Sequence, residues 1–122
     1  MTSKLIAEIR GSAGYLVLNA PLRRNALSLD MWGGIPDIID RFEHDAGVRS
    51  IVVTGAGHEA FAAGADISEF DDHRATESGA KAYDAATQAA TASIVRCAKP
   101  VFAAIRGICF GGGMALAMAC DL

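Results

Sequence analysis

The chain has 122 residues, of which 52% are hydrophobic, 20% charged and 7% aromatic. This length predicts a single domain, and the hydrophobic content is sufficient for a buried core. Eleven Lys and Arg against 14 Asp and Glu give a net charge of −3 without any basic block, which argues against a nucleic-acid partner. With no long apolar run and no charged-then-apolar leader, we expect no membrane partner, no signal peptide and a cytoplasmic protein.

The three cysteines are odd in number and lie in apolar or alanine-rich surroundings. We therefore expect reduced, buried thiols in a cytosolic protein. The three histidines show no ligand spacing with these cysteines, so no metal site is predicted. The cysteines are Cys97, Cys109 and Cys120.

The first predicted elements form a β-hairpin. Alternating apolar residues predict short strands at residues 4–10 and 15–18, with a turn at residues 11–14. Residues 19–25 then predict a loop, because they combine two asparagines, a proline and two arginines.

A helix is predicted next, with Ser28 or Asp30 as its N-cap and Gly47 as its end. Its apolar residues recur at helical spacing. Three residues inside the pattern predict a weak or kinked first turn, because they disfavour helix. They are Gly33, Gly34 and Pro36.

The second half of the chain predicts alternating strands and helices. Residues 50–54 are a β-branched run that is typical of a strand buried on both faces. A long loop at residues 55–67 and an acidic, solvated patch at residues 69–72 precede a helix at residues 78–96. A strand at residues 101–105 follows. Strands separated by helices predict an α/β architecture with at least one parallel pairing.

The glycine-rich turn Gly107-Ile-Cys-Phe-Gly-Gly-Gly113 follows that strand and opens an alanine-rich helix. The first N–H groups of a helix have no partner inside it, and the helix dipole adds partial positive charge there. Glycines let a ligand approach the main chain closely. The turn therefore predicts an anion or oxyanion site. Its helix is apolar on nearly every side, so we expect the chain to be the front part of a longer protein.

The loop Phe61-Ala-Ala-Gly-Ala-Asp-Ile67 also follows a buried strand. Because ligands collect at the carboxyl ends of parallel strands, this loop and the glycine turn can each aim one N–H at the same oxygen, which makes an oxyanion hole. In the alternative interpretation, Gly64 permits a turn and Asp66 caps the following helix. The residues alone leave both open.

Another glycine pattern, Gly55-Ala-Gly57-His-Glu-Ala60, fits the Gly-x-Gly-x-x-Ala motif of dinucleotide-binding proteins. The helix that this motif requires is not predicted, and no strand ending in an acidic residue follows about 20 positions later. We therefore do not favour a dinucleotide site.

Several segments together carry a more specific signal. The chain resembles the front of an enoyl-CoA hydratase/isomerase, the crotonase superfamily, in the loop segments Asn19-Ala-Pro and Asn25-Ala-Leu and in four longer segments. The longer segments are residues 48–55, residues 61–67, Lys99-Pro-Val-Phe-Ala-Ala-Ile-Arg-Gly107 and Gly111-Gly-Gly-Met-Ala-Leu-Ala-Met-Ala-Cys-Asp121. The resemblance implies a crotonase-like spiral of ββα turns, the ClpP/crotonase fold. Residues 1–122 would be the N-terminal part of one such domain, ending after the glycine-rich turn and its helix.

The resemblance also implies an acyl-CoA thioester as substrate, with the N–H groups of Ala65 and Gly112 forming the oxyanion hole. No metal or redox cofactor is implied, because coenzyme A arrives as part of the substrate. Arg23 and Arg24 would lie near the CoA phosphates, although two solvated loop charges remain the alternative. The implied substrate-binding residues are Arg23, Arg24, Ala26, Ala63, Gly64, Asp66, Ile67 and Gly111. Family members commonly form homotrimers or hexamers, which we expect here by analogy.

One position departs from the family pattern. Hydratases of the family carry two glutamates that handle the water. The first stands three residues after the glycine that corresponds to Gly112, on the same helix face, where this chain has Ala115; the second, the downstream acid, would fall after residue 122. An alanine cannot move a proton, so isomerase-type or other one-carboxylate chemistry is favoured over efficient hydration. Asp66 would have a structural role.

Other functions also fit the residues: an enoyl-CoA hydratase of fatty-acid oxidation, or a homologue that binds acyl-CoA without turning it over. If the 122 residues were the whole protein, half of a spiral core would form no active enzyme and would expose apolar helix residues to water. Those residues are Met114, Leu116 and Met118.

Overall fold

The computed structural model describes residues 2–66 and 77–122, in which strands and helices alternate as the sequence predicts. In chain order the elements are β1 Leu5–Arg10, β2 Ala13–Leu18, a 3-10 turn Pro21–Arg23, α1 Leu29–Glu43, β3 Ser50–Gly55, β4 Ala60–Ala62, α2 Glu77–Arg96, β5 Val101–Ala104, β6 Ile108–Cys109 and α3 Gly112–Ala119.

The main sheet has the strand order β1-β2-β3-β5. The β1–β2 hairpin is antiparallel, whereas β2 pairs with β3 and β3 with β5 in parallel. Parallel neighbours need a crossover connection, which α1 supplies between β2 and β3. The strands β2, β3 and β5 therefore end at the same edge of the sheet.

The apolar stripe of α1 forms the centre of the core. Its six buried residues recur at helical spacing and lie in the same cluster as the inward-facing strand residues. The six are Met31, Trp32, Ile35, Ile38, Ile39 and Phe42. Each of these side chains contributes about 1.5–3 kcal/mol on leaving water, so this stripe is a major source of stability.

Strand β3 is buried on one face and not on both, so the prediction for residues 50–54 was wrong on this point. Ile51 and Val53 are fully buried, but Val52 is only partly buried. The open face carries Tyr15 in register with Val52, and the Arg10 guanidinium lies 4.3 Å from the Tyr15 ring centre. Alternation of burial along the strand follows because successive side chains point to opposite faces.

Helix α1 begins after one of the two predicted caps but ends earlier than predicted. Ser28 is its N-cap and accepts a hydrogen bond from the Met31 N–H, and the helix continues through its two glycines and its proline. It ends at Glu43, before Gly47. Lys99 caps this end, because its ammonium group donates to the carbonyls of residues 42 and 45 at 2.7 and 2.6 Å. A cation at a helix C-terminus satisfies carbonyls that have no partner inside the helix.

Two short strands were missed. The predicted loop at residues 55–67 contains β4, and the glycine-rich turn contains β6; the two pair in parallel as a second small sheet. Strands of two or three residues are too short to show a periodic pattern. The predicted helix at residues 78–96 is confirmed to within one residue as α2.

Helix α3 is confirmed after the glycine turn, but its exposure is uneven. Met114 and Met118 are exposed as predicted, whereas Leu116 is fully buried in the main core. The prediction that Leu116 would face water was wrong, since α3 packs against α2 and β4 on that side. In the part of the chain that the structure describes, no helix has the length and apolar character to cross a membrane.

Asn25 fastens the loop after β2 to the loop after β3. It is fully buried in the left-handed region at φ 56°, which asparagine tolerates better than most residues. Its Oδ1 accepts from the Ala20 N–H at 2.9 Å, and its Nδ2 donates to the carbonyls of Ala56 and Ala60 at 3.0 and 2.9 Å. One side chain thus satisfies three backbone groups in two loops.

We predict that Asn25→Ala destabilises the protein by about 3 kcal/mol, because buried polar groups left unpaired each cost about 1–3 kcal/mol. Urea unfolding measures the change. Asn19→Ala is the matched control, since Asn19 makes an exposed hydrogen bond to the Ser3 carbonyl. Equal unfolding free energies for the two variants would contradict the role given to Asn25.

Candidate functional site

Three loops leave the main sheet at one edge, after β2, β3 and β5. They comprise residues 19–28, 56–66 and 105–111. Backbone hydrogen bonds of 3.0 and 3.1 Å join the second loop to the first and to the third. In open sheets of parallel strands, ligands bind outside this carboxyl edge, so the joined loops form the candidate site.

Ala65 lies in the second loop, opposite Leu27 in an isolated parallel bridge. Leu27 uses both of its backbone groups there. Its N–H donates to the Gly64 carbonyl at 2.7 Å, and its carbonyl accepts from the Asp66 N–H at 3.0 Å. In a parallel pairing of this kind, the residue between the two bonded ones has its own N–H on the other side. The Ala65 N–H therefore faces away from Leu27.

The second and third loops touch through backbone atoms beside Ala65. Gly64 has φ 115° and Gly111 has φ 54°, values that L side chains rarely adopt. A Cβ on Gly111 would lie 3.7 Å from the Gly64 Cα, and one on Gly64 would lie 3.5 Å from the Phe110 carbonyl oxygen. Glycine at both positions thus permits the close approach of the two loops.

Helix α3 begins directly after this contact, at Gly112. Its N–H is the first of the helix, where no helical carbonyl is available. The position that a Cβ of Gly112 would take lies 4.0 Å from the Ala65 nitrogen, 3.2 Å from Trp32 Cζ2 and 3.7 Å from Leu27 Cδ1. The backbone of Ala65 and Gly112 therefore comes together over the buried side chains of Trp32 and Leu27.

A groove of about 330 Å³ runs beside Ala65. It brings together most of the residues that the sequence predicts for substrate binding, together with Leu22, which the prediction missed. The lining residues are Leu22, Arg23, Arg24, Ala26, Ala63, Ala65 and Asp66. Leu22 is fully exposed, and an apolar side chain on the 3-10 turn between β2 and α1 was the available signal. Ile67 and the acidic patch at residues 69–72 lie outside the described residues.

The two arginines of the groove have acidic neighbours. Arg23 Nη1 contacts both carboxylate oxygens of Asp66, at 3.1 and 3.3 Å. Asp66 is buried and the Arg23 side chain is half-exposed. The ion pair therefore joins a residue at the rim of the groove, Arg23, to a residue in its wall, Asp66. Arg24 Nε lies 3.7 Å from Glu59 Oε2, and both of these side chains are exposed. An exposed pair of this kind contributes little to stability.

The three cysteines are half-buried free thiols, less buried than predicted. Burial raises the pKa of each thiol, and for Cys120 burial together with the Asp121 carboxylate raises the pKa to about 11. The thiolate is the nucleophilic form of cysteine, so these groups are not activated at neutral pH. Across residues 2–66 and 77–122, no group of three or more His, Cys, Asp or Glu could hold a metal ion.

The Gly-x-Gly-x-x-Ala segment at residues 55–60 leads into strand β4 and not into a helix. A dinucleotide motif needs a helix N-terminus at that point to bind the pyrophosphate. The segment therefore lacks the geometry of that motif, in agreement with the sequence analysis.

Comparison with known proteins assigns the chain to a family. The protein-family model described as Enoyl-CoA hydratase/isomerase matches residues 8–122. The chain belongs to this family. The solved structure of an enoyl-CoA hydratase/carnithine racemase from Magnetospirillum magneticum is similar with a TM-score of 0.94 and 40% identity, covering 100% of this chain and 46% of that one. The α/β arrangement is thus the crotonase-like fold.

Curated members of the enoyl-CoA hydratase/isomerase family are similar over nearly the whole chain. The short-chain-enoyl-CoA hydratase of Clostridium acetobutylicum is 32% identical over 120 residues, which are 98% of this chain and 45% of that protein. The mitochondrial enoyl-CoA hydratase of Pongo abelii is 40% identical over 126 residues, with 97% and 40% covered. The peroxisomal Delta(3,5)-Delta(2,4)-dienoyl-CoA isomerase of Arabidopsis thaliana is 33% identical over 121 residues, with 91% and 43% covered. The chain spans less than half the length of each.

The start of α3 gives a test of the site geometry. A Cβ on Gly113 would lie 2.3 Å from the Ala62 carbonyl oxygen, so Gly113→Ala must push α3 away from β4. We expect a loss of about 1–3 kcal/mol in unfolding free energy from overpacking, measured by urea unfolding.

Gly33→Ala is the matched control. Gly33 is exposed in α1, and an added Cβ would meet nothing within 4 Å. This variant should gain up to about 1 kcal/mol, because alanine favours helix over glycine. A Gly113→Ala variant as stable as the natural protein would mean that α3 and β4 are not in the close contact described.

Proposed function

We propose that this chain contributes the oxyanion hole and part of the acyl-CoA groove of an enzyme of the enoyl-CoA hydratase/isomerase family. The observation that carries the proposal is the meeting of Ala65 and Gly112. The Ala65 N–H is turned away from Leu27 by the parallel bridge, and the Gly112 N–H is the first of α3. Membership of the family supplies the thioester as the ligand that two such donors suit.

Two N–H donors suit a thioester because of where charge develops during reaction. Moving a proton at the carbon next to the thioester carbonyl places negative charge on the carbonyl oxygen as an enolate. Donors held in place before the reaction stabilise that charge without reorganising, and removing one typically costs about 10²–10³ in rate. The buried ring of Trp32 below Gly112 excludes water from that side and so strengthens the interaction.

The groove beside Ala65 would hold the rest of the acyl-CoA. In this proposal the backbone of residues 63–66 meets the pantetheine and adenine portions, and Arg23 and Arg24 lie near the phosphates. The ion pair with Asp66 sets the direction of the Arg23 side chain, which suits binding of an anion at the groove rim. The proposal includes a homotrimer or hexamer without a resident metal or redox cofactor, as the family resemblance implies, and a cytoplasmic location, as expected from the sequence.

Ala115 favours isomerisation or another one-carboxylate reaction over hydration. It lies one turn after Gly112 on α3 and is exposed, so a side chain there shares a helix face with the start of the helix. Asp66 does not replace the missing glutamate in this proposal, because its carboxylate is buried against Arg23. One acid–base group would have to come from outside the 122 residues.

The oxyanion role of Gly112 can be tested by removing its N–H. Proline is tolerated at the first position of a helix and has no N–H, so Gly112→Pro deletes the donor while retaining the helix start. Gly112→Ala is the control, since it also adds a Cβ against Trp32 but keeps the N–H. We expect the rate of α-proton exchange of butyryl-CoA in D₂O to be about 10²–10³ lower for the proline variant than for the alanine variant. Equal rates would rule out donation by Gly112.

Hydration of crotonyl-CoA tests the role of Ala115. We expect the natural full-length protein to hydrate crotonyl-CoA about 10²–10⁴ more slowly than two-glutamate hydratases, because general acid–base catalysis contributes about that factor. Ala115→Glu should raise hydration if the downstream acid is present, whereas Met114→Glu, a charge on a neighbouring exposed residue, should not. Turnover comparable to that of a two-glutamate hydratase would contradict the proposed preference and favour a hydratase of fatty-acid oxidation.

The remaining alternative is a protein that binds acyl-CoA without turning it over. Tight binding by calorimetry, with no product and no proton exchange from a panel of thioesters, would favour that function.

A further inference from the structure

A hydrogen-bonded pair of aromatic side chains lies beneath the two proposed donors. The Tyr83 hydroxyl, on α2, donates to the Leu27 carbonyl at 2.8 Å and accepts from Trp32 Nε1 at 2.9 Å. Trp32 and Tyr83 are 1% and 6% exposed, and Leu27 is fully buried. These bonds are therefore shielded from water. In the protein interior a hydrogen bond is stronger than in water, and it is costly to break.

One end of this pair reaches the segment of Ala65. The Leu27 carbonyl that accepts from Tyr83 is the same group that accepts from the Asp66 N–H. The Leu27 N–H donates a hydrogen bond to the Gly64 carbonyl. A shift of Leu27 therefore moves the residues on both sides of Ala65 and turns its N–H.

The other end reaches the start of α3. The indole ring of Trp32 lies next to the position that a Cβ of Gly112 would take, and its Cζ2 is 3.2 Å from that position. Its Nε1–H, bonded to Tyr83, fixes the plane of that ring. The tyrosine hydroxyl thus joins two segments that are 47 residues apart, as counted from Ala65 to Gly112.

We propose that Tyr83, acting through Leu27 and Trp32, is a positioning residue that sets the alignment of the Ala65 and Gly112 N–H groups on the thioester oxygen. This inference rests on the proposed oxyanion function. Two donors stabilise an oxyanion only when both lie about 2.7–3.1 Å from the same oxygen, so their relative placement matters as much as their presence. A misplacement of about 1 Å can cost about 10²-fold in rate.

The decisive variant is Tyr83→Phe, which keeps the ring and removes the hydroxyl. Tyr15→Phe is the matched control, because Tyr15 lies on the open face of the main sheet, beside Arg10. We expect Tyr83→Phe in the natural full-length protein to lower kcat for α-proton exchange of butyryl-CoA about 10-fold or more. The KM should stay within about twofold, because the alignment acts on the charge that develops in the transition state. Tyr15→Phe should leave both constants unchanged.

A spectroscopic measurement separates alignment from general loss of structure. Binding of butyryl-CoA labelled with ¹³C at the thioester carbonyl should lower the infrared frequency of that carbonyl in the natural protein, because the donors polarise it. In Tyr83→Phe the band should move back toward the free thioester, while thermal unfolding still shows one cooperative transition. A Tyr83→Phe variant that binds butyryl-CoA with an unchanged band and unchanged kcat overturns the inference.

Trp32→Phe provides a second variant if Tyr83→Phe does not fold. It removes the Nε1 donor and part of the ring against Gly112 but leaves the Tyr83 bond to Leu27. We expect a partial return of the carbonyl band, because only one of the two donors loses its support; no return at all would also overturn the inference. If the natural protein itself neither shifts the band nor exchanges the α-proton, the proposed oxyanion function fails, and the positioning role fails with it.

Discussion

The parallel bridge at Leu27 is the interaction on which the candidate site depends. Both backbone groups of Leu27 are hydrogen-bonded to the residues that flank Ala65, so the Ala65 N–H faces away from Leu27. A buried backbone group is normally paired, and a backbone N–H kept available for a ligand needs its neighbours to be held firmly. Three surrounding contacts provide this: the Asn25 side chain, the Tyr83 hydroxyl and the backbone contact between Gly64 and Gly111.

The sheet topology explains why these contacts can form. Because β2, β3 and β5 are parallel, their three following loops begin at one edge and can be bonded to one another. The small β4–β6 sheet extends the same parallel order into the loops and brings Gly112 beside Ala65. Helix α1 contributes to the site as well, since the apolar stripe that fills the core also places Trp32 against Gly112. Core packing and site geometry thus share residues, and a core substitution at Trp32 affects both.

The sequence predicted the features that rest on local chemistry. Helical spacing located α1, the alanine-rich segment after the glycine turn located α3, the β-branched run located β3, and the glycine turn indicated a backbone site beside α3. It did not predict features that depend on contacts distant in sequence. The end of α1 is capped by Lys99, more than 50 residues away, and the one-sided burial of β3 depends on which layers cover the sheet. The orientation of Asp66 toward Arg23 and the bond between Trp32 and Tyr83 likewise join residues that no periodic pattern connects.

The backbone and the side chains of this site carry different kinds of information. The donors of an oxyanion hole are main-chain groups, so their signal in the sequence is the glycines and alanines that allow the geometry, such as Gly64, Gly111 and Gly112. In the proposed function these residues determine which intermediate is stabilised, and many reactions of a thioester pass through the same enolate. The choice among these reactions depends on which side chain moves the proton. In the proposed function, α3 has Ala115 one turn after Gly112, so the backbone would stabilise the intermediate while the proton-transfer group would come from another side chain.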